Sequence, residues 1–280
     1  MSFRKAAELC RVSQPALSSQ LALLEDAVGV RLFERDNRRV LVTSAGRALL
    51  DRALQVLLSA DDLARAALRA GDPLSGTLRI GIIPTISPYL LPSLAPALKK
   101  AFPSLTVLWI EDKTDVLVRQ LREGALDAAL LALEAELGDV ELEVVARDPF
   151  VLITPRNHPL GNKSTRMHLS ELHDTAVLLL DEGHCLRDQA LALCAKARAE
   201  ELAFRATSLS TLAQMVASGA GVTMLPALAV STEARRAKLR VRHFVRPEPG
   251  RTIVFAWRKR AALEAALKQL TPTIRDAYPG

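Results

Sequence analysis

Two cysteines nine residues apart, Cys185 and Cys194, are the side chains here whose type and spacing could do chemistry of their own. Leu186 to Leu193 between them is rich in Leu and Ala, with Arg187 and Gln189 and neither proline nor a β-branched residue. That composition predicts a helix starting just after Gly183. Nine positions on one helix advance roughly 900° and about 13 Å along the axis, so the two sulfurs leave from opposite faces. A disulfide needs Cα atoms within roughly 7 Å. The pair can bond only if the helix that carries it comes apart, and such a pair is a candidate redox switch. The same geometry keeps the two sulfurs from sharing one ion, and no other Cys–His pair has zinc spacing, so no metal and no cofactor are expected.

The pair must be positioned by a body of alternating strands and helices. Residues 78–83 read as a buried strand, followed by a helix entered through Pro88 and Pro92, a strand over 106–110, a helix over 116–122 and an apolar strand over 126–133. After a strand at 141–145 the pattern restarts with strands at 150–154 and 176–180, the cysteine helix and a strand at 204–207. A helix ending at Gly219, strands at 222–225 and 252–257 and a closing helix from Ala261 follow. Repeated βαβ units imply an α/β fold with parallel sheets and helices on both faces. Two such sets, joined near Arg147 and again over 247–251, predict two lobes with a cleft where strand ends converge.

The first fifty residues differ. Residues 3–12 read as a short helix with Ala6, Ala7, Leu9 and Cys10 inward. Ser13 is a good N-cap for a second helix that tolerates Pro15 in its first turn and ends near Val28, with Gly29 as its stop. Two helices joined by a tight turn make a helix-turn-helix. The run Arg35-Asp36-Asn37-Arg38-Arg39 reads as a turn before a strand at 40–42, a wing whose arginines reach phosphates or a minor groove. A long helix then runs from Thr43 or Ser44 to about Ala70, and Gly71 to Gly76 forms a linker. Along that helix Leu49, Ala53, Val56, Ala60, Leu63 and Ala67 keep the spacing of a two-stranded coiled-coil seam, which predicts a second copy.

Charge agrees with that division. The net charge is +6, and half of the excess lies in the first 52 residues, where nine bases face six acids. A small basic region on a nearly balanced body points to a polyanion. No stretch approaches roughly 18 uncharged apolar residues, so no membrane span is expected. The amino terminus lacks a signal peptide's apolar core, which predicts a cytoplasmic location where the thiols rest reduced.

A resemblance now becomes visible. Ala6-Ala7 with Val12-Ser13-Gln14-Pro15-Ala16-Leu17-Ser18, then Leu24-Glu25, Gly29, Leu32-Phe33-Glu34-Arg35 and Thr43-Ser44-Ala45-Gly46, resembles the DNA-binding domain of LysR-type transcriptional regulators. Further on the chain is similar to the hydrogen-peroxide-sensing members of that family. The matching motifs are Gly81-Ile82-Ile83-Pro84-Thr85 through Pro92, Gly183-His184-Cys185-Leu186-Arg187-Asp188-Gln189-Ala190 with Cys194, and Phe204-Arg205-Ala206-Thr207-Ser208-Leu209. Leu225-Pro226-Ala227-Leu228-Ala229-Val230 and Arg246-Pro247-Glu248-Pro249 before Arg251-Thr252 extend the likeness to essentially the whole chain.

The resemblance implies a winged helix-turn-helix over 1–43, a dimerising linker helix and hinge over 44–76, and a sensor over 77–280. The sensor would be a two-lobed α/β domain like type 2 periplasmic binding proteins, with lobe I at 77–146 and 252–280 and lobe II at 147–251. It implies that Cys185 is oxidised to a sulfenic acid and then joined to Cys194, with His184, Arg187 and Arg251 as candidate sources of positive charge at a helix start. Thr85, Thr114, His184, Asp188 and Arg251 would line the peroxide pocket. Ser13, Gln14, Pro15 and Ser18 would open the recognition helix, with its Gln and Ser side chains reading bases, and Arg35, Arg38 and Arg39 would touch phosphate. The implied partners are promoter DNA, RNA polymerase, further copies in a homodimer or homotetramer, and glutaredoxin or thioredoxin as reductant.

Two other classes share parts of this pattern. One is a LysR-type regulator that answers a small metabolite, its cysteines incidental. The other is a thiol peroxidase, against which the basic helix-turn-helix argues. Family members also begin with a further helix before the segment matching Phe3. The expectation is a start codon assigned too far downstream, with Ala6, Ala7 and Leu9 left uncovered.

Overall fold

The computed structural model describes residues 3–36, 39–68, 74–163 and 165–279. The chain forms two compact units, Met1–Ala64 and Arg65–Gly280.

In the first unit, α1 (Phe3–Leu9) and α2 (Gln14–Val28) make the helix-turn-helix. The Ser13 hydroxyl accepts the Ala16 N–H at 3.3 Å and Gly29 closes α2 at φ +71°, the two signals that set its predicted ends. The wing is an antiparallel hairpin of β1 (Phe33–Asp36) and β2 (Arg39–Val42). Arg35 thus lies in a strand and not in the turn, because pairing begins as early as Phe33 opposite Val42. A Glu25 carboxylate oxygen accepts the N–H groups of Leu32 and Phe33 at 2.7 and 3.1 Å and fixes where the wing starts. α3 (Ser44–Leu68) follows. A Cβ on Gly46 would stand 2.2 Å from the Leu32 carbonyl oxygen, so only glycine lets α3 approach the wing this closely.

Two expectations for α1 fail. The helix stops at Leu9, and Cys10 and Leu9 are exposed where an inward position was expected, because no described element covers that side. Ala7 is buried, which agrees with its inward reading and not with the loss of cover expected for it, whereas the exposure of Leu9 agrees with that loss of cover. Along the α3 seam Leu49 is half-buried, while Ala53, Val56, Ala60 and Leu63 are exposed, Val56 at 69% and Leu63 at 73%.

The second unit is built on a seven-stranded sheet. β3 (Gly76–Ile82) pairs in parallel with β4 (Leu105–Glu111) and β5 (Ala128–Ala132). β6 (Val140–Thr154) is one continuous strand of 15 residues, where two were expected. β7 (Ala176–Leu180) and β8 (Glu200–Ala206) form a parallel pair. β9 (Thr223–Pro226) and β10 (Arg240–His243) flank β6, and β11 (Gly250–Arg258) runs antiparallel to both β5 and β6. The sheet is therefore mixed and not parallel: the chain crosses between lobes on strands, and the return strand β11 must oppose the outgoing β6.

Six helices cover these strands: α4 (Ser87–Ala101), α5 (Thr114–Arg122), the cysteine helix α6 (Cys185–Ala197), α7 (Leu209–Ala217), α8 (Ala227–Arg236) and α9 (Glu264–Ala277). Pro92 sits inside α4 rather than at its entry. One core, with Ile80, Leu90, Leu117, Phe255 and Trp257, fills the lobe of β3–β5. Two others, around Phe150 and Leu212 and around Leu152 and Phe244, fill the lobe of β7–β10. At the crossing, Arg251 of β11 lies directly opposite Asp148 of β6.

Candidate redox site and nucleic-acid interface

Helix α6 touches all three cores. Cys185, its first residue, is 9% exposed and packs with the core of the opposite lobe. Leu186 joins the Phe150 core, and Cys194 joins the Phe244 core at 2% exposure. Both sulfurs are free thiols. Burial, and next the negative charge of Glu201, push the Cys194 thiol up to about 11, so it stays protonated in the folded state.

A narrow pocket beside Cys185 is lined by Ile83, Pro84, Thr85, Lys113, Thr114, Gly183 and His184, and in this conformation it is too tight for a water-sized sphere. Three of the expected residues, Thr85, Thr114 and His184, thus meet Cys185. The Thr85 hydroxyl oxygen accepts a 2.6 Å hydrogen bond from Arg251 Nη1, which leaves its own hydrogen free to donate. Thr114 Oγ1 is buried and has no hydrogen-bond partner among the described residues. Burial, and then the Lys113 charge, hold the His184 imidazole below its ordinary range against the pull of Asp181.

The other two expected residues do not line this narrow pocket. Asp188 is exposed and borders a wider cleft of about 730 Å3, shared with Thr114, Cys185, Arg119, Arg122 and Gln189. Arg251 is fully buried and spends its donors on Asp148 Oδ2 at 3.0 Å and on the Thr85 hydroxyl and carbonyl, so its link to the pocket runs through Thr85.

The cations nominated for Cys185 are engaged elsewhere. Arg187 bonds the Leu180 carbonyl at 3.1 Å and Glu201 at 2.7 Å, Arg251 is paired with Asp148, and His184 favours its neutral form. The cation that lines the pocket is Lys113, which the sequence reading missed. It caps α5 from the opposite lobe, and no local motif marks it. Among the described residues, no group of three or more His, Cys, Asp or Glu side chains could hold a metal ion. No helix among them is long and apolar enough to cross a membrane.

On the first unit, Ser13, Gln14 and Pro15 are exposed at the opening of α2, with Ser18 half-buried one turn on. Arg38 lies outside the described residues, as do the side chains of Arg35 and Arg39.

These two features, a helix-turn-helix with its second helix open and a two-lobed α/β body, define a class. Residues 1–47 match the bacterial regulatory helix-turn-helix proteins of the lysR family, and residues 71–279 match the LysR substrate binding domain. The chain belongs to the LysR family of DNA-binding regulators. Within it, the chain is similar to the DNA-binding transcriptional dual regulator OxyR of Escherichia coli, at 44% identity over 99% of this chain and 91% of that protein. Full-length OxyR of Pseudomonas aeruginosa, solved as a variant, superposes with a TM-score of 0.75 at 38% identity, covering 98% of this chain and 89% of that one. A hydrogen-peroxide-bound OxyR mutant of Corynebacterium glutamicum gives 0.72 at 34% identity, over 99% and 87%.

Proposed function

We propose that the chain is a peroxide-responsive transcriptional regulator in which Cys185 is the peroxidatic thiol and Cys194 resolves it. The observation that carries this reading is the separation of the two sulfurs into different cores, with only Cys185 facing hydroxyl groups and a cleft. The Cys185 thiolate attacks one peroxide oxygen, the O–O bond breaks, and hydroxide leaves to become water. Thr85 donates to the peroxide from a hydroxyl that Arg251 orients, and the unpartnered Thr114 hydroxyl offers a second contact. Neutral His184 and Asp188 at the cleft are the candidate proton carriers.

Cys194 then attacks the sulfenic sulfur, a second hydroxide leaves as water, and the disulfide forms. That step pulls Cys185 out of one core or Cys194 out of another, and repacking of the lobes is what the DNA-reading units sense. Each cycle consumes one peroxide and ends on an oxidised protein that a dithiol protein, glutaredoxin or thioredoxin, must reset. The chain is accordingly a sensor and not an enzyme. It acts in the cytoplasm on promoter DNA, through the start of the recognition helix at Ser13, Gln14, Pro15 and Ser18 and through Arg35, Arg38 and Arg39 at phosphates. RNA polymerase is its downstream partner. The open α3 seam supports assembly as a homodimer or homotetramer.

The test is non-reducing thiol mapping with stoichiometric peroxide, beside DNase footprints. A Cys185–Cys194 bond and a changed footprint are expected in the wild type, and neither in Cys185→Ser. A footprint shift that survives in Cys185→Ser refutes the assignment. The 730 Å3 cleft, with Arg119, Arg122 and the unbonded buried amide of Gln189, favours a second reading as a carboxylate-responsive regulator. Calorimetric carboxylate binding by the Cys185→Ser/Cys194→Ser double variant supports that alternative.

A further inference from the structure

Lys113 and the backbone ahead of Cys185 belong to opposite lobes, and they touch. Lys113 Nζ donates a 2.6 Å hydrogen bond to the Glu182 carbonyl oxygen. Its stem lies on Gly183, where an added Cβ would meet Lys113 Cδ at 2.9 Å and Nζ at 3.2 Å. Gly183 holds φ +83°, a conformation that other residues adopt only with strain, so the loop is shaped to admit the lysine. The loop accepts a further contact from its own lobe, between Arg205 and the Glu182 carboxylate at 3.1 Å.

Other polar ties also join the lobes, such as Tyr89 to Glu233 at 2.8 Å and Arg251 to Thr85. Those residues lie outside the segment that carries the cysteines. The Lys113 tie grips the residues that must travel with Cys185.

We propose that Lys113 is a latch for the thiol state: its ammonium pins the 182–183 backbone to the opposite lobe, and the pin must release before Cys185 can reach Cys194. This inference rests on the assignment of the two cysteines above. Cys185 sits in the lobe I core and Cys194 in a separate core of lobe II. Bringing Cys185 to Cys194 draws the preceding loop away from Lys113. An ammonium–carbonyl bond present in only one of two states biases the equilibrium toward that state. Lys113 is half-buried, so the bias is a fraction of what a dry charge-assisted bond gives, on the order of five- to tenfold. Lys113 is thus a positioning residue that sets how readily the sensor trips and how easily it is reset.

The experiment uses the full chain and Lys113→Met, which keeps the length of the stem and removes the donor and the charge. Both proteins are equilibrated in glutathione redox buffers and the Cys185–Cys194 bond is quantified by thiol mapping. The variant is expected to favour the disulfide five- to tenfold more than the wild type; tenfold corresponds to about 30 mV for this two-electron couple. Amides of 183–186 in the reduced variant should also exchange with solvent several-fold faster, a larger change than at amides of the lobe cores, and the global unfolding equilibrium should shift by no more than the same five- to tenfold. Equal potentials and equal exchange, with the wild type forming the bond, overturn the latch and leave the cysteine assignment standing. A wild type that forms no such bond overturns both.

Discussion

The two ends of α6 differ in nearly every physical respect. At its start, Cys185 is packed across a lobe boundary, next to threonine hydroxyls, a neutral imidazole and an open cleft. At its end, Cys194 is enclosed by Val177, Leu179, Met224 and Phe244, with its thiol raised to about 11. One thiol is placed to meet a small polar molecule and the other is stored out of reach. A single helix can hold both only because it bridges separate cores, and the same placement means no pairing can occur without loss of packing. The contrast teaches why a stoichiometric switch needs two unlike cysteines: a pair equally exposed would oxidise without moving anything.

The most severe way to break the contrast acts on the frame around Cys185. Arg251 and Asp148 are both fully buried and bonded to each other, and Arg251 also holds Thr85. Removing one partner leaves an uncompensated charge in the interior. Arg251→Met should lower the unfolding free energy by about 3–5 kcal/mol in urea titrations. A loss below about 1 kcal/mol means that this pair does not build the pocket.

A milder substitution sharpens the contrast directly. Serine in place of cysteine adds a stronger polar group at nearly constant volume. Cys194→Ser places a hydroxyl in an apolar core and should cost about 1–3 kcal/mol, whereas Cys185→Ser, beside other hydroxyls, should cost less than about 1 kcal/mol. Equal losses at the two positions would show that the environments are not distinct.

Much of this was legible in the sequence. Ser13, Gly29 and the apolar spacing of Leu17, Leu21 and Leu24 act within a few residues, so the helix-turn-helix could be read locally. The helix containing both cysteines was legible for the same reason. What escaped depends on distance along the chain. Asp148 and Arg251 are 103 residues apart, and Lys113 is 69 residues from the carbonyl it grips. Pro149 and the charges of Arg147 and Asp148 broke the apolar pattern of β6, so one crossing strand read as two. Helix α8 and strand β10 lie outside the expected elements; Pro226 marks the start of α8, but the short β10 has no such signal ahead of it. Arg187, expected beside the reactive sulfur, pairs with Glu201 instead, because i+2 on a helix points away from position i.

The smallest expected effect concerns pH. Burial comes first and Lys113 second in holding His184 below its ordinary range, so between that depressed value and about 6.5 the unfolded chain binds a proton that the folded chain refuses. Stability therefore rises with pH across that window and falls as the solution is acidified from neutrality. His184→Asn removes this dependence at one site, and urea titrations at pH 7.5 and 5.5 should show a smaller acid loss in the variant than in the wild type. Some loss remains, because burial also lowers His158. Lys113→Met should fall between the two, since it relieves the second cause and leaves the first. Identical acid losses in wild type and His184→Asn would mean that the imidazole is not held neutral by its surroundings.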